Sequence, residues 1–243
     1  YLCPPLLPGG DAAMRMFNSD GSEGAMCGNG VRCAAEFLYT HGLRRDCLHI
    51  DTPRAGQRTV RRVGDGLWQV EMGRFSAAGA DVGAVGLGGA PLLDVPLCAG
   101  GRNWRVNCLA VGNPHCVIFT QGAPPAGPEL AAYGRALEHH PAFPGGINVE
   151  FVQQVSPTGL AVTVWERGSG ATLACGTGAC ACAAAAVLTG RCARSVPILV
   201  QMPGGTLEVQ VLRDDTLLLT GDAAATFSGT ALIQPCKAPP GVV

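Results

Sequence analysis

The sequence predicts an α+β protein of two similar halves, and three observations support that fold class. First, the segment Cys-Gly-x-Gly occurs twice, at Cys27 and Cys175, and each copy leads into a helix-forming run. Second, segments that alternate apolar and polar residues follow each copy and predict strands. Third, 47% of the 243 residues are hydrophobic and only 14% are charged, as in a packed globular protein. The long period of the repeat indicates two similar subdomains that face each other.

The first half of the chain is predicted to hold a helix followed by a hairpin. The helix spans about residues 29–41 and ends at Gly42, with Asn29 as its N-cap. Residues 60–63 and 67–72 predict two strands of a hairpin, because a Gly-Asp-Gly turn separates them. The Gly- and Pro-rich stretches 79–101 and 122–128 predict loops or a linker between the halves.

The second half repeats this order. A strand is predicted over residues 160–166, and a helix over about 177–189, with Thr177 as its N-cap and Gly190 at its end. Three further strands follow, over 198–202, 206–212 and 216–220, and turn-forming residues separate them.

Composition excludes several classes of function. A net charge of −1 gives no electrostatic basis for binding nucleic acid or an anionic membrane. We also find no apolar run long enough to span a bilayer. The twelve cysteines are scattered rather than arranged as a small disulfide scaffold, which favours the reducing cytoplasm. No Cys-x-x-Cys pair or His partner has zinc-ligand spacing, so no metal is expected.

The repeated cysteine predicts acid–base chemistry on an anion. If both helix N-termini point into one cleft, their free N–H groups and positive dipole ends can bind a carboxylate. A thiol at such a position is expected to have a lowered pKa, because the helix end stabilises the thiolate. One thiolate and one thiol can then remove a proton from one face of a carbon and supply one to the other. Racemisation or epimerisation is therefore the predicted class of reaction.

Three other interpretations stay open at this point. The cysteines can simply be packed at two tight helix starts. They can also form a redox-active dithiol, since two facing thiols of lowered pKa exchange readily with disulfides. Finally, the chain can be a non-catalytic fragment.

Five segments closely resemble the diaminopimelate epimerase family. In chain order they are Phe17-Asn-Ser-Asp-Gly-Ser-Glu23 leading into Cys27-Gly-Asn-Gly30, Gly112-Asn-Pro-His115, Gly146-Ile-Asn-Val149, Glu166-Arg-Gly168 and Ala174-Cys-Gly-Thr-Gly-Ala-Cys180. The resemblance implies two pseudo-symmetric halves, each a mixed or antiparallel sheet wrapped around a central helix. It also implies interconversion of LL- and meso-diaminopimelate for bacterial lysine and peptidoglycan synthesis, without pyridoxal phosphate or any other cofactor.

The resemblance also assigns roles to residues. Cys27 and Cys175 are implied to be the catalytic acid–base pair, and His115 and Glu166 to tune their pKa values. The implied substrate-binding residues are Asn18, Gly28, Asn29, Asn113, Asn148, Glu166, Arg167, Gly176 and Thr177. Arg167 suits a distal carboxylate, whereas amide and carboxylate oxygens suit an ammonium group. Taken singly, each Asn can be a turn former, Arg167 a solvated charge and His115 a core histidine.

The resemblance also predicts how the chain is divided. Residues 1–105 are expected to form the first half, 106–228 the second, and 229–243 a final strand and tail. The first half is expected to be incomplete, because its counterpart of the Val111–Phe119 turn-and-strand unit would fall before Tyr1. The chain as given is therefore expected to have reduced or no activity. A homodimer is an open alternative, and a proline or hydroxyproline racemase is the neighbouring alternative for the activity.

Overall fold

A computed structural model of the chain describes residues 1–17, 21, 23–24, 26–88 and 91–230. Its first part contains one long helix and seven strands: β1 (Leu2–Cys3), β2 (Ala12–Met14), β3 (Met16–Phe17), β4 (Glu23–Gly24), α1 (Gly28–Thr40), β5 (Cys47–Thr52), β6 (Gly56–Gly64) and β7 (Leu67–Arg74). The predicted helix and hairpin are both confirmed: the helix lies within one residue of its predicted bounds, and the first hairpin strand begins at Gly56, before the predicted start at residue 60.

The second part contains the remaining elements. They are α2 (Gly79–Val82), β8 (Val95–Ala99), β9 (Arg102–Ala110), β10 (Pro114–Phe119), α3 (Gly127–Glu138), β11 (Asn148–Ser156), β12 (Gly159–Glu166), β13 (Gly170–Thr172), α4 (Gly176–Leu188), β14 (Ile198–Met202), β15 (Gly205–Val211) and β16 (Thr216–Asp222). The predicted strands at 160–166, 198–202, 206–212 and 216–220 and the helix at 177–189 are confirmed.

The two predicted loop regions contain regular structure, so that prediction was wrong in part. Residues 79–101 include α2 and β8, and residue 127 begins the twelve-residue helix α3. Pro128 is compatible with the first turn of α3. Proline has no N–H group, and the N–H groups of the first turn make no hydrogen bond within the helix, so none is lost. Proline and glycine near 122–128 therefore marked the start of a helix rather than a linker.

All the described strands except β3 and β4, which pair with each other as a separate two-stranded sheet, form one large mixed sheet that follows the predicted α+β, pseudo-symmetric architecture. Within the described residues the order is β1-β2-β5-β6-β7-β16-β15-β14-β12-β11-β10-β9-β8, and β13 pairs with β12. Helix α1 is followed by the antiparallel set β5-β6-β7, and α4 by the antiparallel set β14-β15-β16. In both halves the first strand after the helix lies parallel to a strand that precedes the helix. This repetition confirms the two-half fold.

The halves differ in how much sheet surrounds each helix. In the described part of the chain, α1 lies against β2, β5, β6, β7 and β16, whereas α4 contacts β9 to β12 and β14 to β16. The helix α4 is almost entirely buried, since every residue from Gly178 to Ala186 is buried. By contrast, Phe37 on α1 is 49% exposed.

The predicted boundary at 105/106 stays a prediction, and β9 runs across it. No helix in the described ranges is both long enough and apolar enough to cross a membrane.

Candidate active site

The N-termini of the two long helices meet inside the sheet. A Cβ on Gly176 would lie 3.8 Å from the Cα of Gly28 and 3.5 Å from Oδ1 of Asn29. Only residues without side chains allow the two backbones to approach so closely. The first turns of α1 and α4, with their free N–H groups, therefore converge on one place, as the repeated sequence segment predicts.

Cysteine itself is the N-cap of both helices. Cys27 and Cys175 have nearly identical extended backbones, with φ/ψ of −135°/114° and −133°/115°. Their Sγ atoms accept from the N–H groups of Gly30 and Gly178, each at 3.4 Å. The predicted N-caps, Asn29 and Thr177, were therefore wrong: both helices begin two residues earlier than a cap there would place them, because sulfur fills the role of a capping oxygen.

The pKa of Cys175 is raised to about 12. Burial is the main cause, and the nearby carboxylates of Glu166 and Glu150 add to it. Hydrogen bonds from Thr177 and from the N–H of Gly178 act in the opposite direction but do not outweigh these effects. The expected lowering of the pKa is thus wrong for Cys175, which holds its proton in this state.

His115 lies in a buried row of polar side chains next to Cys175. Its Nδ1 is 2.7 Å from Oε1 of Glu150, and its Nε2 is 2.9 Å from Oδ1 of Asn113. His115 and Glu150 are both 0% exposed. Each ring nitrogen lies within hydrogen-bond distance of an oxygen atom, so Glu150 and Asn113 together fix the orientation of the ring. Asn113 lies in the turn before β10, His115 on β10 and Glu150 on β11. The row therefore crosses between two neighbouring parallel strands.

Asn148 and Arg167 lie together at the ends of β11 and β12. The Nδ2 group of Asn148 donates to the carbonyl of Pro114 at 2.8 Å, and its Oδ1 accepts from the backbone N–H of Arg167 at 2.9 Å. Asn148 therefore fixes the turn that carries Arg167. The guanidinium of Arg167 is exposed and donates to the carbonyl of Gly145 at 3.0 Å, which leaves other donors free.

Glu166 and Thr177 complete the side of the site around Cys175. Oε1 of Glu166 accepts from the hydroxyl of Thr172 at 2.6 Å, and this bond orients the carboxylate. The hydroxyl of Thr177 lies 3.5 Å from Sγ of Cys175. Asn18, another predicted binding residue, lies outside the described residues.

Two buried charged residues of the site were missing from the sequence prediction. Glu150 is one, and Arg32 on α1 is the other. Nη2 of Arg32 donates to Oδ1 of Asn29 at 3.1 Å, and its Nε lies 3.5 Å from the carbonyl of Asp222. Arg32 sits five residues after Cys27, where the second copy of the segment has Cys180, so comparison of the two copies could have singled it out.

Comparison with known proteins shows the family to which this chain is similar. The family model described as diaminopimelate epimerase matches residues 6–77 and 107–226. Among curated relatives, the diaminopimelate epimerase of Nostoc punctiforme is 44% identical over 91% of this chain and 79% of its own length. That of a Synechococcus strain is 46% identical over 93% of this chain and 81% of its own.

Solved structures show the same fold at lower identity. A probable proline racemase from Agrobacterium radiobacter has a TM-score of 0.70 and 17% identity, covering 98% of this chain and 76% of its own. A hydroxyproline epimerase from Agrobacterium vitis has a TM-score of 0.65 and 17% identity, covering 91% and 70%. The family model and the curated relatives go further than these folds, and they identify the chain as an amino-acid epimerase that belongs to the diaminopimelate epimerase family.

Proposed function

We propose that this protein interconverts LL- and meso-diaminopimelate with Cys27 and Cys175 as its two acid–base residues. The observation that carries the proposal is the meeting of two helix N-termini that are each capped by a cysteine. The names of the curated relatives support the substrate. The low-identity racemase structures support only the fold.

The substrate carboxylate next to the reacting carbon is proposed to bind between the two helices. The first turns of α1 and α4 offer N–H groups that no residue of the same helix can satisfy. Gly28 and Gly176 allow a ligand to approach that backbone, and Asn29 and Thr177 offer side-chain donors at the same level. Stabilising the carboxylate also stabilises the carbanion-like charge that develops when the α-proton leaves.

The proton transfer is proposed to need one thiolate and one thiol. Cys175 is the thiol in this state, because its proton is tightly held. Cys27 is then the base: its thiolate takes the α-proton, and Cys175 delivers its proton to the opposite face of the same carbon. The configuration inverts, Cys27 ends as a thiol and Cys175 as a thiolate, and the reverse reaction begins from that state. Nothing is oxidised or reduced.

The distal amino-acid group of the substrate is proposed to define specificity. Arg167 is exposed at the site and can pair with a second carboxylate, while Glu166 can contact the ammonium on the reacting carbon. Asn148 keeps one Nδ2 hydrogen free beside Arg167, and Asn113 and Asn18 are proposed as further binding residues. A cyclic substrate such as proline has no distal group for these residues, so a diamino diacid fits the set better.

The proposed mechanism needs no cofactor and requires reduced thiols. The single lysine of the chain, Lys237, lies outside the described residues. All eleven cysteines that the structure describes are free thiols, which fits a reducing compartment such as the cytoplasm. Activity is expected to survive EDTA and carbonyl-trapping reagents, whereas iodoacetamide abolishes it.

The direct test is α-proton exchange on LL-diaminopimelate in heavy water, followed by NMR. The purified chain should incorporate deuterium and produce the meso isomer. Cys27→Ala and Cys175→Ala should each lose activity by about 10²–10⁴-fold, the usual contribution of one acid–base group. Cys98→Ala, which removes an exposed thiol on β8, is the matched control and should retain activity.

A second measurement does not depend on turnover. Diaminopimelate should protect Cys27 and Cys175 from alkylation, as read by mass spectrometry of their peptides, and proline should not. Absence of both exchange and protection would refute the proposal. Faster exchange on proline or hydroxyproline than on diaminopimelate would favour the racemase alternative.

A further inference from the structure

Glu150 is a fully buried carboxylate that the two-thiol mechanism leaves without a role. It lies on β11 and is 0% exposed, and its Oε1 lies 2.7 Å from Nδ1 of His115. Its Oε2 has no hydrogen-bond partner within the described part of the chain. A buried carboxylate oxygen without a partner is costly, so its presence needs an explanation.

The position of Gly178 brings this carboxylate close to Cys175. A Cβ on Gly178 would lie 2.7 Å from Oε1 of Glu150 and 3.4 Å from Sγ of Cys175. The absence of a side chain there allows the carboxylate to rest against the first turn of α4. The positive end of the helix helps to hold it in this dry place.

Other titratable groups also face Cys175. Glu166 approaches from β12, Cys180 and Cys182 lie on α4 itself, and His115 on β10 is in contact with Glu150. Arg32 on α1 is the nearby cation. It lowers the pKa of Cys180, although burial has the larger and opposite effect on that thiol. Glu150 differs from all of these because it contacts both His115 and the first turn that Cys175 caps.

We propose that Glu150 is a positioning residue that keeps Cys175 in its thiol form before substrate binds. The inference rests on the proposed function, because it assigns the proton donor of that reaction. A negative charge held beside Cys175 disfavours a second negative charge on its sulfur. The carboxylate thus prevents both cysteines from being thiolates in the free protein, a state that would have no proton to deliver.

The test compares the alkylation rates of individual cysteines in the wild type and in Glu150→Gln. Iodoacetamide is applied between pH 7 and 9, and each cysteine is followed through its own peptide. Glutamine keeps the volume and can still accept from His115, but it removes the charge. We expect Cys175 to react about tenfold faster, because loss of a neighbouring charge lowers its pKa by about one unit.

Cys180 serves as an internal control for access. It lies on the same helix and is fully buried, but Glu150 is not among the groups that raise its pKa. Loosening of the site would accelerate Cys175 and Cys180 together, whereas removal of the charge accelerates Cys175 alone. Glu138→Gln, the same exchange at another buried carboxylate on α3, should leave the Cys175 rate unchanged.

The outcomes separate this inference from the proposed function. An unchanged Cys175-to-Cys180 ratio in folded Glu150→Gln overturns the inference, whatever the activity of the wild type. A raised ratio together with a wild type that does not exchange the α-proton of diaminopimelate refutes the function but not the charge effect. If Glu150→Gln does not fold, Glu150→Asp is the substitute, because it withdraws the charge by one methylene. It should raise the Cys175-to-Cys180 ratio by a smaller factor, and an unchanged ratio in Glu150→Asp would overturn the inference. In an active protein, kcat should fall about tenfold and KM change less than about threefold.

Discussion

Gly28 and Gly176 lie against the same methyl group, Cδ2 of Leu219. A Cβ on Gly28 would be 3.0 Å from that atom, and a Cβ on Gly176 would be 3.2 Å from it. Leu219 lies on β16, the strand that joins the two halves of the sheet. One side chain therefore supports the first turns of both helices and sets how closely they approach.

Adding a methyl group at either glycine should widen the site. We expect Gly176→Ala to cost about 1–3 kcal/mol in unfolding free energy, the usual cost of overpacking, and to lower kcat/KM at least tenfold because the carboxylate donors move. Gly176→Ala with Leu219→Val should recover part of both losses. Denaturant unfolding and epimerase assays measure the effects, with Gly122→Ala as control, since nothing lies within 4 Å of a Cβ there. Wild-type kinetics in Gly176→Ala would contradict this account.

The raised pKa of Cys175 predicts how stability depends on alkaline pH. Below about pH 9, the ordinary value for a thiol, Cys175 is protonated in both the folded and the unfolded protein. Between about 9 and 12 only the folded protein keeps the proton, so stability falls as pH rises, by up to about 1.4 kcal/mol per pH unit. Cys175→Ser removes this contribution. The difference in unfolding free energy between wild type and variant should therefore shrink from pH 9 to 10.5; a constant difference would argue against a raised pKa.

Arg32 is expected to orient Asn29. Its guanidinium donates to Oδ1 of Asn29, which leaves the Nδ2 hydrogens of Asn29 free for a ligand. Arg32→Lys replaces the planar guanidinium, which contacts both Asn29 and the carbonyl of Asp222, with a single ammonium group. We expect KM for diaminopimelate to rise about tenfold while kcat changes less than about threefold. Asn29→Ala, Arg32→Lys and the double variant form a double-mutant cycle with the wild type, which measures the coupling between the two residues. If the two effects simply add, Arg32 does not act through Asn29.

Arg167 is expected to decide which amino acids are accepted. Arg167→Met should abolish measurable saturation by diaminopimelate, because the distal substrate carboxylate would lose its partner. Arg135→Met, which removes an exposed arginine on α3, is the matched control and should bind normally. Thermal unfolding of both variants should match the wild type within a few degrees. Unchanged KM in Arg167→Met would place the distal group elsewhere.

Much of the fold was predictable because its signals are local. Period-two alternation and turn residues predicted the meander β14-β15-β16, and Gly42 and Gly190 follow closely after the ends of α1 and α4. The helix α3 was missed because its start, Gly127 followed by Pro128, resembles a loop. The regular structure of a segment rich in glycine and proline depends on the partners that it finds, and a single sequence does not reveal them.

The site was predictable where it repeats and not where it depends on burial. The two Cys-Gly-x-Gly segments predicted where the helices meet. Glu150 and Arg32 were missed because a charged residue in a strand or helix normally faces solvent. Burial also explains the wrong prediction for Cys175: desolvation and two carboxylates outweigh the helix end, and neither effect follows from residue spacing.

The pairing of β16 with strands of both halves has a consequence for folding. By chain order β16 ends the second half, yet it pairs with β7 of the first as well as with β15. Local unfolding of either half therefore leaves β16 with one unpaired edge and removes the contact between Leu219 and the first turn of one helix. Partial opening is costly on both sides, so the described protein should unfold in a single cooperative transition, with amides of β7 and β16 exchanging with solvent at the same slow rate.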